Sequence, residues 1–305
     1  MKVKPDHVDF LLPEVRSVLE LDDEARIDFI LQETWITYPT ANDVFKKMER
    51  LLNHPKKSRM PGMLLVGATN NGKTSLIHRF LSKNTPKRSE DWKETTEIPI
   101  VAIQAPPSPN LSELYSNILE QFAVPFKNSD KTAKKEQQIK YYLGLCKLKM
   151  LVVDEIHNIL SGPVSKQKVF MNALKNLSND LQITIILVGI KEALRATNTD
   201  DQIANRFKPV FLPKWKLDRD YLSLLVSIEK TLPLQKASRI GEDKKLANKI
   251  LDLSEGYIGE VIDLVTQAAV CAIENKTEHI TLNELTSCGF TRPSHRKDFE
   301  DLISL

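Results

Sequence analysis

The stretch "LLVGATNNGKTSLIHRF", residues 64–80, decides the fold. Leu64, Leu65 and Val66 form a short apolar run of the kind a buried parallel strand shows. Gly67 to Thr74 then reads G-x-x-x-x-G-K-T. A loop of this spacing turns its backbone N–H groups inward around an anion. Gly67, Ala68, Thr69, Asn70, Asn71 and Gly72 make up that cradle, and the two glycines supply backbone angles that bulkier residues resist. Lys73 is placed to reach the β- and γ-phosphates of ATP, and the Thr74 hydroxyl to bind Mg²⁺. Ser75 opens a helix whose N-terminal dipole faces the phosphates. The alternative is a glycine-punctuated turn that binds nothing. The match at every fixed position, in a strand–loop–helix context, speaks against it.

A phosphate loop needs a second element, a strand ending in an acid. "KMLVVDEIHN", residues 149–158, supplies it. Asp154 follows the apolar run Met150–Val153 and is placed to hold the metal, directly or through water. Glu155 is placed to polarise an attacking water as general base. A helix N-terminus with two acidic first-turn residues is the competing reading. His157 reads either as a γ-phosphate sensor or as an ordinary polar residue of that loop.

Composition bounds the rest. With 305 residues the chain suits one large or two modest domains. The formal net charge is +3, so any contact with nucleic acid must come from local patches. Cys146, Cys271 and Cys288 lie far apart, which argues against a zinc site or a disulfide framework and suits a reducing cytosol. Cys146 and Cys271 fall in apolar helical patterns and are expected in the core. The start "MKVKPDHVDF" has no signal-peptide apolar region. The longest apolar run, residues 183–190, is too short to span a bilayer.

Along the chain, residues 1–38 read as an N-terminal arm with a helix over "LDDEARIDFILQETWI", broken by Pro39. Residues 39–215 alternate apolar strands and helices, which predicts a parallel sheet covered on both faces. "KNSDKTAKKEQQIK", residues 127–140, reads as a charged stretch turning into a helix from Gln137. Residues 216–287 are helical throughout, a second and smaller subdomain, and 288–305 form a polar tail. The fold class is thus α/β, a P-loop parallel sheet flanked by helices and followed by a helical lid.

This layout resembles that of AAA+ ATPases. "ANRF" at 204–207 resembles that family's box with the arginine finger, which makes Arg206 the candidate to reach a neighbouring subunit's γ-phosphate; an arginine capping a surface ion pair is the competing reading. The family's two sensor positions are altered here. Ile190 stands near the first, and Gly259 stands where the lid arginine would be. Both changes remove γ-phosphate contacts and imply slow hydrolysis.

The stretches "YPTANDVFKKMERLLNHPKKSRMPGMLLVGATNNGKTSLIHRF", "MLVVDEIHNIL", "DQIANRFKPVFLPKW" and "SEGYIGEVIDLVTQAAV" are similar to the TniB family, relatives of TnsC and of the target-selection ATPase of bacteriophage Mu. The resemblance covers roughly residues 30–275. It implies a bacterial cytoplasmic protein that assembles with ATP, as rings or filaments, on double-stranded DNA. It implies a bridge between a target-selection protein of TniQ type, in some systems linked to CRISPR, and a DDE transposase. In that role ATP acts as a reversible glue between head-to-tail subunits. Relatives contact the DNA backbone from the region before the acidic strand. Lys127, Lys131, Thr132, Lys134 and Lys135 are the candidates, a solvated helix start being the alternative. Trp35 and Tyr38 read as adenine-pocket residues or as aromatic anchors of the arm. Arg292, His295, Arg296 and Lys297 read as a docking tail for the transposase or as a disordered end. Rival functions are a helicase- or clamp-loading ATPase and a nucleotide-gated signalling switch that never uses DNA. DNA-stimulated assembly separates the last from the others.

Overall fold

The computed structural model describes residues 5–87, 96–198 and 201–297. Most of the polar stretch "TPKRSEDWKETTE", residues 85–97, and the tail beyond 297 lie outside these. In chain order the helices are α1 (Pro5–Phe10), α2 (Pro13–Val18), α3 (Asp23–Ile30), α4 (Pro39–Leu52), α5 (Lys73–Lys83), α6 (Leu111–Gln121), α7 (Thr132–Leu145), α8 (Val164–Leu181), α9 (Ala193–Thr197), α10 (Asp201–Arg206), α11 (Arg219–Glu229), α12 (Lys244–Ser254), α13 (Ile258–Glu274) and α14 (Leu282–Ser287). The strands are β1 (Gly62–Gly67), β2 (Ile100–Gln104), β3 (Met150–Asp154), β4 (Thr184–Gly189) and β5 (Phe207–Leu212). The chain divides into two units, one of Thr40–Pro213 and one of Met1–Pro39 with Lys214–Leu305.

The first unit is a five-stranded sheet in the order β2-β3-β4-β1-β5, each neighbouring pair parallel. This is the α/β fold class that the alternating pattern predicts. The three inner strands read as unbroken apolar runs because helices cover both faces and leave no polar side. β1, β3 and β4 are buried at every residue. Edge strand β5 is instead buried only at its two ends, Phe207 and Leu212, with Lys208 and Pro209 exposed, and Pro209 blunts an edge that would otherwise invite pairing. Helix α5 buries Leu76, Ile77 and Phe80.

The second unit is helical among its described residues. Its helices start where local chemistry says they should. The side chains of Asp22, Asp218 and Asp243 each cap a helix, and Thr281 with Glu284 forms a reciprocal capping box. The arm is integral to this unit. Buried Arg26 on α3 donates to Glu278 Oε1 (3.0 Å) and to the Pro233 carbonyl (2.7 Å). Tyr38 packs edge-on against Trp215, and burial pushes its phenol up to about 12. Trp35 donates from Nε1 to Thr37 Oγ1.

Three local expectations differ from the structure. The arm helix read over residues 21–36 spans only Asp23–Ile30. α7 begins at Thr132, not Gln137, because "TAKKEQQIK" consists mostly of good helix formers, and its charges leave that propensity intact. Cys146, the residue that caps the end of α7, and Cys271 on α13 are only partly buried. Among the described residues no single helix is long and apolar enough to cross a membrane.

Candidate nucleotide site

The parallel sheet gathers the site at the C-terminal ends of its strands, where such folds place ligands. The loop after β1 turns tightly. Asn70 and Gly72 take left-handed backbone angles, φ 56° and φ 76°, of which only the glycine's is free of steric cost. Gly72 caps α5, so the free N–H groups of that helix's first turn face the loop's interior. Asn71 is buried and pins the loop to the sheet, donating from Nδ2 to the Leu212 (2.8 Å) and Pro213 (3.2 Å) carbonyls. Ala68 is half-buried, while Thr69, Asn70, Thr74 and Ser75 are exposed around the loop and the start of α5.

Lys73 folds back so that its Nζ donates to the Ala68 carbonyl at 2.7 Å. Burial holds its ammonium below the ordinary lysine range, partly offset by the negative charges of Glu155 and Asp154. A buried cation with a carbonyl partner is ready to exchange that partner for a phosphate. Across the loop, Thr74 Oγ1 donates to Asp154 Oδ2 at 3.2 Å. Asp154 Oδ1 accepts from the Glu155 backbone N–H at 2.7 Å. Both carboxylate oxygens are therefore aimed by the protein. A hydroxyl and a carboxylate side by side suit Mg²⁺, which takes few protein ligands and keeps several waters. A cavity of about 380 Å³ opens beside this pair, lined by Thr74, His78, Gln104, Asn117, Glu120 and Asp154. Glu155 takes φ 53°, uncommon for a non-glycine residue, which turns its side chain off the line of β3. Its Oε2 lies 3.2 Å from His157 Nε2.

Two expected site residues are placed otherwise. Arg206 is only 5 % exposed; it donates from Nη1 to the Lys175 carbonyl (3.1 Å) and from Nη2 to Asn179 Oδ1 (2.7 Å), both on α8 of its own subunit. Burial and the nearby Arg59 lower its pKa. The expected outward placement is thus corrected: in the single chain the guanidinium ties α10 to α8, and acting as a finger requires those two bonds to break. Arg206→Ala is accordingly expected to cost about 1.5–3 kcal/mol of stability through removal of its charged hydrogen bonds. A thermal melt of the isolated chain checks this; a finger poised at the surface would leave that melt unchanged.

Lys135 is the second correction. It is 2 % exposed, donates to Ser112 Oγ (3.0 Å) and Ser116 Oγ (2.9 Å), and lies over the Phe126 ring. It braces α7 against α6 and cannot touch DNA. Lys127 and Lys131 are exposed, Thr132 is half-buried, and Lys134 is 57 % exposed although paired with Asp130 at 2.8 Å. Ile190 and Gly259 offer no polar side chain to a phosphate. In the tail, Arg292 pairs with Asp252 and Arg296 with Glu260, so these two arginines are held within their own unit.

Comparison with known proteins agrees with this geometry. Cdc6p from Pyrobaculum aerophilum superimposes with a TM-score of 0.61 at 16% identity, over 87% of this chain and 69% of that one. Orc1 from Aeropyrum pernix, solved in complex with DNA, gives 0.57 at 15% identity, over 90% and 69%. A Walker-type ATPase of Pyrococcus abyssi gives 0.51 at 15% identity, over 90% and 77%. At such identities the likeness is one of fold, and that fold is AAA+. No curated protein matches by sequence. The family model for the bacterial TniB protein matches residues 26–217, from within α3 of the arm through the phosphate loop and acidic strand to just past the close of the sheet. With more than half of its length under that model and an AAA+ fold beneath it, this chain belongs to the TniB family.

Proposed function

We propose that this protein is an ATP-hydrolysing regulator of transposition. In this reading it assembles on double-stranded DNA and links a target-selection protein of TniQ type to a DDE transposase. One observation carries the ATPase part: Lys73, Thr74, Asp154 and Glu155 converge at the strand ends, with the first three already connected to the loop or to each other. Lys73 and the loop's N–H groups bind the phosphates, Thr74 and Asp154 hold Mg²⁺, and Glu155 takes a proton from the attacking water. The bound Mg²⁺ supplies neutralisation of phosphate charge. Family membership supports the transposition role, and the DNA-bound Orc1 neighbour is consistent with a DNA-associated AAA+ fold.

For DNA contact the exposed lysines Lys127, Lys131 and Lys134 are retained, and Lys135 is dropped. They sit at one loop and helix start, a basic element suited to phosphates and carrying no sequence information. Binding is therefore expected to be steeply salt-dependent and alike on unrelated duplexes. Lys131→Ala with Lys134→Ala should flatten the log–log salt slope by up to about 0.9 for each phosphate left without its lysine. Fluorescence anisotropy across a salt series on two unrelated duplexes tests this. Weakening confined to one sequence would contradict backbone tracking, and an ATPase indifferent to DNA would favour the signalling switch.

A further inference from the structure

We propose that His157 is the positioning residue for the general base, taking over from a strand end that carries no polar side chain. The inference rests on reading Glu155 as that base. A carboxylate on a left-handed residue at a strand terminus can turn in several directions, and it serves as a base only when one oxygen faces the water. Something must hold the other oxygen. His157 does so, with Nε2 at 3.2 Å from Glu155 Oε2.

The adjoining strand explains why the histidine fits. β4 ends at Gly189, and a Cβ built there would meet His157 Nδ1 at 3.3 Å, Ile156 Cγ2 at 3.3 Å and Ala193 Cβ at 2.9 Å. The imidazole thus lies against the bare Cα of Gly189, in the space that a side chain from this strand end would fill. The next residue, Ile190, has no polar group to offer. Gly189 and His157 form a matched pair: the strand gives up its side chain, and the 3-10 turn over Ile156–Ser161 supplies the polar one.

The tautomer follows from the same contacts. His157 Nδ1 is buried and has no hydrogen-bond partner. A proton on Nδ1 would be a buried unsatisfied donor, whereas a bare lone pair there costs less. A proton on Nε2 rather than Nδ1 is therefore favoured, on the nitrogen that stands 3.2 Å from Glu155 Oε2. One carboxylate oxygen is fixed while the other stays available for water.

Three variants test this, with ATPase rates measured on the full chain at saturating double-stranded DNA. His157→Ala should lower kcat roughly ten- to a hundredfold and leave KM for ATP and the melting temperature near wild type. His157→Gln, whose amide N–H reaches about as far as Nε2, should recover most of the deficit. Gly189→Ala should lower kcat by displacing the ring, and this effect should vanish in the His157→Ala background. Unchanged or faster turnover by His157→Ala overturns the proposal. So does a deficit that Gln does not repair and that tracks the melting temperature. Glu155→Gln keeps the two readings apart. If it is inactive while His157→Ala is normal, only the positioning role fails; if it turns over like wild type, the base assignment fails first.

Discussion

Lys73→Ala should lose ATP affinity by roughly ten- to a hundredfold or more while the chain stays folded. The size follows from the charged hydrogen bonds that an ammonium makes to phosphate, about 1.5–3 kcal/mol each. The preserved fold follows from the state of Lys73 without nucleotide. Its charge is partly desolvated and its pKa lies below the ordinary value. A lysine with a depressed folded pKa weakens the fold while it is charged. That penalty is complete below the folded pKa and is relieved as pH rises from there to the unfolded value. Removing the ammonium removes the penalty, so the neutral-pH melt of Lys73→Ala should match or slightly exceed that of wild type. The difference should shrink toward the ordinary lysine pKa. Calorimetric titration with ATP beside melts at several pH values checks both halves. Unchanged affinity would refute the phosphate-loop assignment.

Glu155→Gln should bind ATP as wild type does and hydrolyse it about 10²–10⁴-fold more slowly, the usual worth of a positioned base. Glutamine keeps the length of the side chain, and its amide oxygen can take the place of Oε2, 3.2 Å from His157 Nε2, so neither the backbone at φ 53° nor the 3-10 turn is disturbed. If ATP holds subunits together, this variant should accumulate long-lived assemblies on DNA. Electron microscopy and light scattering after ATP addition measure that. Prompt disassembly would show that Glu155 does not set the lifetime.

The nucleotide site was legible because its chemistry is local. Gly67 to Thr74 are contiguous, and Asp154 and Glu155 follow directly on an apolar run, so spacing alone defines the donor set. The helix caps at Asp218, Asp243 and Thr281 are local in the same way, since a cap needs only its own first turn. The burial of Arg206 and Lys135 is not legible in the sequence because burial is decided elsewhere. Arg206 is covered by α8, 27 and 31 residues earlier in the chain. Lys135 is held by Ser112 and Ser116, whose hydroxyls give no sign in sequence of seeking an ammonium. The partnership of His157 with Gly189 was equally hidden. A glycine at a strand end announces an absent side chain, but only the fold shows which neighbour fills the space.

The bond from Arg26 to Glu278 spans 252 residues, and it orders events during synthesis. The sheet unit is continuous in sequence and can close as soon as Pro213 has emerged. The arm cannot. At about 5–20 residues per second, Arg26 waits roughly ten to fifty seconds for its carboxylate, in a segment without its docking surface. A nascent chain arrested near residue 213 should therefore carry a protease-resistant sheet unit and a cleavable arm. Protection of the arm should appear only after Glu278 has left the ribosome, so the second unit is completed from both ends of the chain and last of all.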